Sequence, residues 1–388
     1  MRIVRVSSGA IGLVAALALT VTACAPIEDR AAEGPTAPGA VLPSGGAGPP
    51  RDAADRLRER GIDPDKWRNG AWRKWDRERW LREAADFINP VIDGLWEPER
   101  MASARAPART LAATDLAGDR GVTDPEPRPV EAQEEQRPYH RNAAPVGKVF
   151  FDGPGGSMVC SGTVVKDPRK PGGSNLVWTA GHCVHAGRDG GWYRNIAFVP
   201  AYNDKGHSPE ALRTAPPEEV APYGQYWADW VSTSGEWIGR GGPDDGAGAP
   251  YDYAVMHVRP KVGSASLEET VGVALDVDFD APAAEDVATM GAWGYPAAPP
   301  FNGAIMHKCV DRPGRLSIAP ESPTMWRIGC TMTGGSSGGG WFANQENGEL
   351  ALVSNTSIGP VSAGWLAGPR LGPGARQLYT MVSDRFAG

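Results

Sequence analysis

The 388-residue sequence has little cysteine and histidine, 5 and 6 residues respectively. No two cysteines stand at the two-to-four-residue spacing of a structural zinc site, so a zinc centre is excluded and nothing points to a cofactor. There is no long basic block: 39 basic against 46 acidic residues give a formal charge of −7, which removes the electrostatic case for nucleic acid. No apolar run reaches the roughly 20 residues of a membrane span. Beyond about Tyr139 there is also no amphipathic helical pattern longer than two turns. Calcium on an acidic loop such as PDDG, 243–246, is the one metal left open.

What is present starts with an address. Arg2 and Arg5 precede an apolar run from about Ile11 to Val21, followed by small residues, the order of a secretory signal spanning 1–23. Val21-Thr22-Ala23-Cys24 resembles the lipobox of bacterial lipoproteins. That resemblance implies a lipid on Cys24, a membrane partner and a place on the extracellular face of a bacterial membrane; the alternative is plain secretion after a nearby cut. Four cysteines remain for an oxidising compartment. They allow three pairings, and sequence neighbours favour Cys160 with Cys183 and Cys309 with Cys330.

Residues 24–54, rich in Ala, Pro and Gly, predict a disordered tether. A helical segment is expected over 55–97, where Trp80, Ala84, Phe87, Ile88, Val91 and Leu95 recur at spacings of three and four. Asn89-Pro90 offers an alternative helix start, amide at N-cap and proline at N1. Five of the 14 Trp lie between Trp67 and Trp96, and so short a unit cannot bury that face alone. A propeptide covering a cleft, making the chain a zymogen, accounts for this; a permanent docking element is the rival. Residues 98–138 return to proline and charge and read as an exposed, disordered linker. From 139 to 388, short apolar runs alternate with Gly and Pro, the pattern of an all-β sandwich or barrels.

Three stretches of this region carry chemistry. LVWTAGHC ends an apolar strand in small residues and then His182, whose neutral imidazole accepts a proton near pH 7; His185 is its nearby competitor. Asp252 opens the strand-like YDYAVMHV, where a carboxylate is costly to bury unless paired, for instance with an imidazole. GGSSGGG, 334–340, surrounds two serines with glycines that permit close approach of backbone N–H groups. Hydroxyl, base, acid and N–H pocket form a set for acyl transfer.

CSGTVV at 160–165, TAGHC at 179–183, DYAV at 252–255 and GGSSGGG together resemble the four landmarks of the chymotrypsin-like serine endopeptidases, in that family's order. GAWGYP at 291–296 is similar to a stretch of the glutamyl-endopeptidase-like bacterial branch. The resemblance spans roughly 145–388. It implies two six-stranded antiparallel β-barrels with the site in the cleft between them, and peptide or protein substrates. His182 is then the general base, Asp252 its orienting acid and Ser337 the nucleophile, with the N–H groups of Gly335 and Ser337 as oxyanion hole. The pocket is expected near Thr331, Met332 and Ser354. With no acidic residue in 330–340, a pocket for Lys or Arg is disfavoured, and specificity otherwise stays open.

Ser336 stands where many relatives carry aspartate, so activation by pairing a freed N-terminus with that carboxylate is unavailable to this chain. The 70 positions from His182 to Asp252 form an insertion whose Tyr223, Tyr226, Trp227, Trp230 and Trp237 are expected in the core or at the cleft rim. A non-catalytic binding module that keeps the barrels is the rival of another class, but such proteins usually lose a site residue. An α/β-hydrolase is excluded because its acid and histidine follow the serine, whereas both precede it here.

Overall fold

The structure, a computed structural model, describes residues 40–41, 87, 89, 91–107, 122–188, 190–243, 246–280, 282–345 and 347–388. The signal segment, Cys24, most of the tether and residues 55–86 of the expected helical segment lie outside the described residues.

After the short strand β1 (Ala40–Val41) and β2 (Gln133–Glu134) come β3 (Val146–Gly153), β4 (Gly156–Val165), β5 (Leu176–Thr179), β6 (Arg194–Pro200), β7 (Tyr226–Ser234) and β8 (Ala254–Pro260). Strands β3, β4, β5, β8, β7 and β6 pair antiparallel in that order, and β6 returns to β3, closing a barrel. Closure removes the exposed edges an open sheet would have. Its strands read as nearly continuous apolar runs because both their faces are covered: Val149, Phe151, Val177, Phe198 and Met256 fill one cluster, and Phe150, Trp178, Trp227 and Val255 another.

The second half comprises β9 (Asp276–Val277), β10 (Met290–Gly294), β11 (His307–Asp311), β12 (Gly314–Leu316), β13 (Met325–Cys330), β14 (Gly340–Asn344), β15 (Leu350–Asn355) and β16 (Gly364–Gly368). The double-barrel expectation holds, with one difference. The second barrel is assembled from a six-stranded sheet, β2-β11-β10-β14-β15-β9, and a three-stranded sheet, β12-β13-β16, and β9 joins β15 in parallel. Ala292, Trp326, Ile328, Trp341 and Val353 from both sheets share one core, and the Cys309–Cys330 disulfide joins β11 to β13.

Two expectations are corrected at the N-terminal side. Asn89 caps no helix: its side-chain amide donates to Ile196 O and Ala228 O at 2.9 and 2.8 Å and accepts from Ile196 N at 2.7 Å, bridging β6 and β7. Nor are the described residues 91–97 helical; helix α1 (Pro98–Ser103) starts only at Pro98. Ile92, Leu95, Trp96 and Met101 sit in the first barrel's core, each such side chain stabilising by about 1.5–3 kcal/mol. Of the apolar face legible in the sequence, the described residues Phe87 and Leu95 are buried and Val91 is partly buried against strands of the same chain.

The expected linker 98–138 is, in its described parts, an ordered strap. Asp124 takes the Arg315 guanidinium at 2.8 and 3.1 Å, Thr331 N donates to Val130 O at 2.9 Å, and β2 pairs with β11. Its composition resembles disorder because main-chain hydrogen bonds and the Asp124 ion pair hold it, with only a few apolar side chains, such as Val130 and Ala132, packed on the second core.

A helix at the other terminus is absent from the sequence reading. Helix α2 (Pro373–Arg385) buries Ala375, Leu378, Tyr379 and Val382 on the first barrel, with Arg385 over the Trp230 ring. No helix of the described residues is long and apolar enough to cross a membrane.

Candidate active site

Strand β5, wholly buried, runs through Leu176, Val177 and Trp178 into Ala180 and a single tight turn, Gly181–Cys183, that carries His182. Cys183 is disulfide-bonded to Cys160 on β4, Cα to Cα 6.0 Å, so the turn is fastened to the neighbouring strand. Trp237, from the long insertion, lies with its ring 6.0 Å from that of His182 and donates through Nε1 to His185 O. Tyr226, Trp227, Trp230 and Trp237 are all buried: the first three belong to β7, a strand of the first barrel itself, and Trp237 follows it, so none of the four lines the cleft rim.

Asp252 follows the short turn Ala249–Tyr251 and is fully buried. Its Oδ1 accepts from His182 N at 2.8 Å and its Oδ2 meets His182 Nδ1 at 2.7 Å. An ionised carboxylate only accepts, so Nδ1 carries the ring proton and the basic lone pair falls on Nε2. Ser357 Oγ donates to the same Oδ2 at 2.5 Å, and Asn355 Nδ2 donates to Asp252 O at 2.9 Å. This cage offsets the cost of burying the charge. Ser357 and Asn355 were not singled out in the sequence; the only signal was the hydroxyl-rich end of LVSNTS.

Ser337 lies in the loop between β13 and β14. Gly335 has φ +100°, and a Cβ there would stand 2.7 Å from both Tyr295 O and Ala297 Cβ. At Gly338, φ +76°, a Cβ would meet Thr179 Oγ1 at 2.2 Å, so the loop seats directly on the end of β5 leading to His182. Ser161 clamps the other side: its N–H donates to Ser337 O at 2.7 Å and its Oγ to Gly335 O at 2.9 Å. Among the described residues no acceptor takes the N–H of Gly335 or Ser337, and the Ser337 hydroxyl makes no hydrogen bond. Both serines are buried, but Ser336 donates from Oγ to Thr333 O at 2.8 Å.

Beside Ser337 opens a cavity of about 130 Å³, walled by Met332, Thr333, Thr356, Ile358, Trp365 and Leu366 among others and lined by no ionisable side chain. Of the three expected pocket residues only Met332 lines it. Thr331 instead accepts from Ala132 N at 2.9 Å, on the strap. Ser354 is fully buried and donates to Pro369 O at 2.7 Å, because it still belongs to β15, whereas Thr356 and Ser357 lie past the strand's end.

His185 is excluded as the base. Burial pushes its imidazole down to about 4, its Nδ1 accepts from Gly187 N, and its ring packs edge-on to Trp192. Cys160, His182 and Cys183 place their donor atoms within 4.8 Å of one another, yet both sulfurs are spent in the disulfide and offer no thiolate to a metal.

No protein-family model and no curated protein matches the chain. Among solved structures, it is similar to a thermostable serine protease, AL20, from an extremophilic microorganism, at 33% identity over 62% of this chain and 98% of that one, with a TM-score of 0.50. It is also similar to the protease Anisep from Arthrobacter nicotinovorans, at 28% identity over 65% and 99% of the two chains, TM-score 0.52.

Proposed function

The chain belongs to the chymotrypsin-like serine proteases, and from that premise we propose that it is a serine endopeptidase working outside the cytoplasm through Ser337, His182 and Asp252. The observation that carries this reading is the two-point hold of Asp252 on His182, with a glycine-bounded serine loop seated against the same strand end. His182 Nε2 takes the Ser337 proton as Oγ attacks the substrate carbonyl. Asp252 stays ionised and stabilises the imidazolium. The N–H groups of Gly335 and Ser337 receive the oxyanion. Collapse of the tetrahedral species expels the amine, protonated by His182, and water then releases the acyl group by the same steps in reverse order. The rival reading, an inactive binding module, lacks support because none of the three residues is missing.

The uncharged pocket favours an uncharged side chain just before the scissile bond. A Lys or Arg side chain would be desolvated there without a partner, and so would a carboxylate, so the GYP stretch brings no acidic preference with it. A fluorophosphonate tests the nucleophile: the label, mapped by mass spectrometry, is expected on Ser337. Label on Ser336, or none on a folded chain, rejects the assignment.

Two disulfides support an oxidising compartment. The finer proposal is cleavage after residue 23 and lipidation of Cys24, which holds the protease at the membrane surface. Wild type is then expected in the detergent phase on partitioning and Cys24→Ser in the aqueous phase; aqueous behaviour of both means ordinary secretion.

A further inference from the structure

A polypeptide substrate with its side chain in the pocket must continue, past the scissile bond, over the opposite wall of Ser337. That wall is the start of β4, the stretch Ser157–Val159 leading into Cys160 and Ser161, whose N–H bonds Ser337 O, and it is bordered by Gly334, at the rim where the pocket meets the nucleophile's own loop. The chain's own residues already lie on it. Arg105 N donates to Ser157 O at 3.1 Å and Val159 N donates to Arg105 O at 2.9 Å, a parallel bridge centred on Met158. Next along the chain, Ala106 Cβ and Pro107 O stand 3.2 and 3.7 Å from where a Cβ on Gly334 would be. The Arg105 side chain is exposed while its main chain is paired, the manner in which an extended peptide adds to a strand edge. None of residues 104–107 lines the pocket.

The segment is firmly moored just upstream. Arg100 Nη2 meets both oxygens of buried Asp152 at 2.7 and 2.9 Å, its Nε donates to Ser157 Oγ, and Trp96 Nε1 donates to Asn195 O at 2.8 Å. Asp152 is in turn held by Asn195 and Ser157. Moored in this way, Arg105–Pro107 faces its wall at a local concentration of millimolar order, ahead of any free peptide.

We propose that Arg105–Pro107 is a built-in occupant of the leaving-group side of the cleft. It leaves the pocket and the reacting groups open, but competes with every substrate residue beyond the scissile bond. The full chain therefore turns over substrates that end at that bond, and disfavours polypeptides that extend past it until the segment is displaced. This inference rests on reading Ser337 as the nucleophile.

The test compares two substrates with the same acyl side: an activated ester ending at the scissile bond, and a quenched-fluorescent peptide carrying four further residues. In R105P, which deletes the donor to Ser157 O, kcat/KM for the extended peptide is expected to rise about tenfold through KM, with ester hydrolysis unchanged. A106G/P107G, which loosens the contact over Gly334 without removing a hydrogen bond, is expected to move the same ratio in the same direction, and serves alone should R105P not fold. An unchanged ratio in both folded variants overturns the proposal. Binding to Ser337→Ala chains, with and without R105P, decides it without turnover. Extension of the peptide is expected to raise affinity about tenfold more with R105P than without, and equal gains overturn it. Absence of ester hydrolysis by every form rejects the catalytic reading and leaves this binding comparison standing.

Discussion

Replacing Ser337 by alanine is expected to lower kcat by about 10⁵–10⁶ with KM little changed, because the group removed reacts but does not bind substrate. Replacing Ser336 by alanine is expected to leave activity within about tenfold of wild type. The Ser336 hydroxyl is buried and committed to Thr333 O, so its loss removes one neutral hydrogen bond, worth about 1 kcal/mol, from the loop that Ser161 also clamps. Active-site-titrated steady-state kinetics on both variants check the pair. The reverse order, with Ser336→Ala dead and Ser337→Ala active, would shift the nucleophile by one residue and rule out the assigned oxyanion donors as well.

The second large effect is Asp252→Asn, expected to lower kcat by about 10⁴. The reason is the orientation the surrounding donors enforce. His182 N donates to Oδ1, while His182 Nδ1 and Ser357 Oγ both meet Oδ2. An asparagine oxygen can keep the first bond, but its NH₂ then faces Nδ1. Nδ1 must accept, Nε2 carries the proton, and the ring cannot take one from Ser337. Ser357 can rotate its hydroxyl and accept, so the fold should survive. Near-wild-type melting with lost turnover is the expected signature; wild-type turnover in the folded variant would sever Asp252 from catalysis.

Legibility followed the range of the interactions. His182, Asp252 and Ser337 sit in short signatures because each depends on its immediate neighbours: Ala180-Gly181 for approach, Cys183 for fastening, and glycines on either side of the serine pair for backbone conformation. Ser354 is expected at the pocket and Ser357 escapes notice because three hydroxyl residues crowd into four positions, and only the point at which β15 ends decides which of them turns towards Asp252. Asn89 and the strap residues were illegible for another reason. Their partners, Ile196, Ala228, Arg315 and Thr331, lie 100 to 200 positions away, and main-chain bonding to remote strands leaves no periodicity behind. Helix α2 had a local signal, Pro373 at its first turn with Ala375, Leu378 and Val382 on one face, obscured by the charged and small residues around it.

Two arms of the described chain are exchanged between the barrels. The strap at 122–134, although it precedes the first barrel in sequence, is bonded to β11, Arg315 and Thr331 of the second, and helix α2, the last element made, lies on β7 and β8 of the first. Each barrel is therefore finished by a piece of chain that belongs, by order of synthesis, to the other. Neither half can be excised as a free-standing module, and a nick in the connection between β8 and β9 would leave two fragments still latched by reciprocal arms. For a protease exposed to its own kind, such a latch means that a single backbone cut there leaves the cleft walls held together.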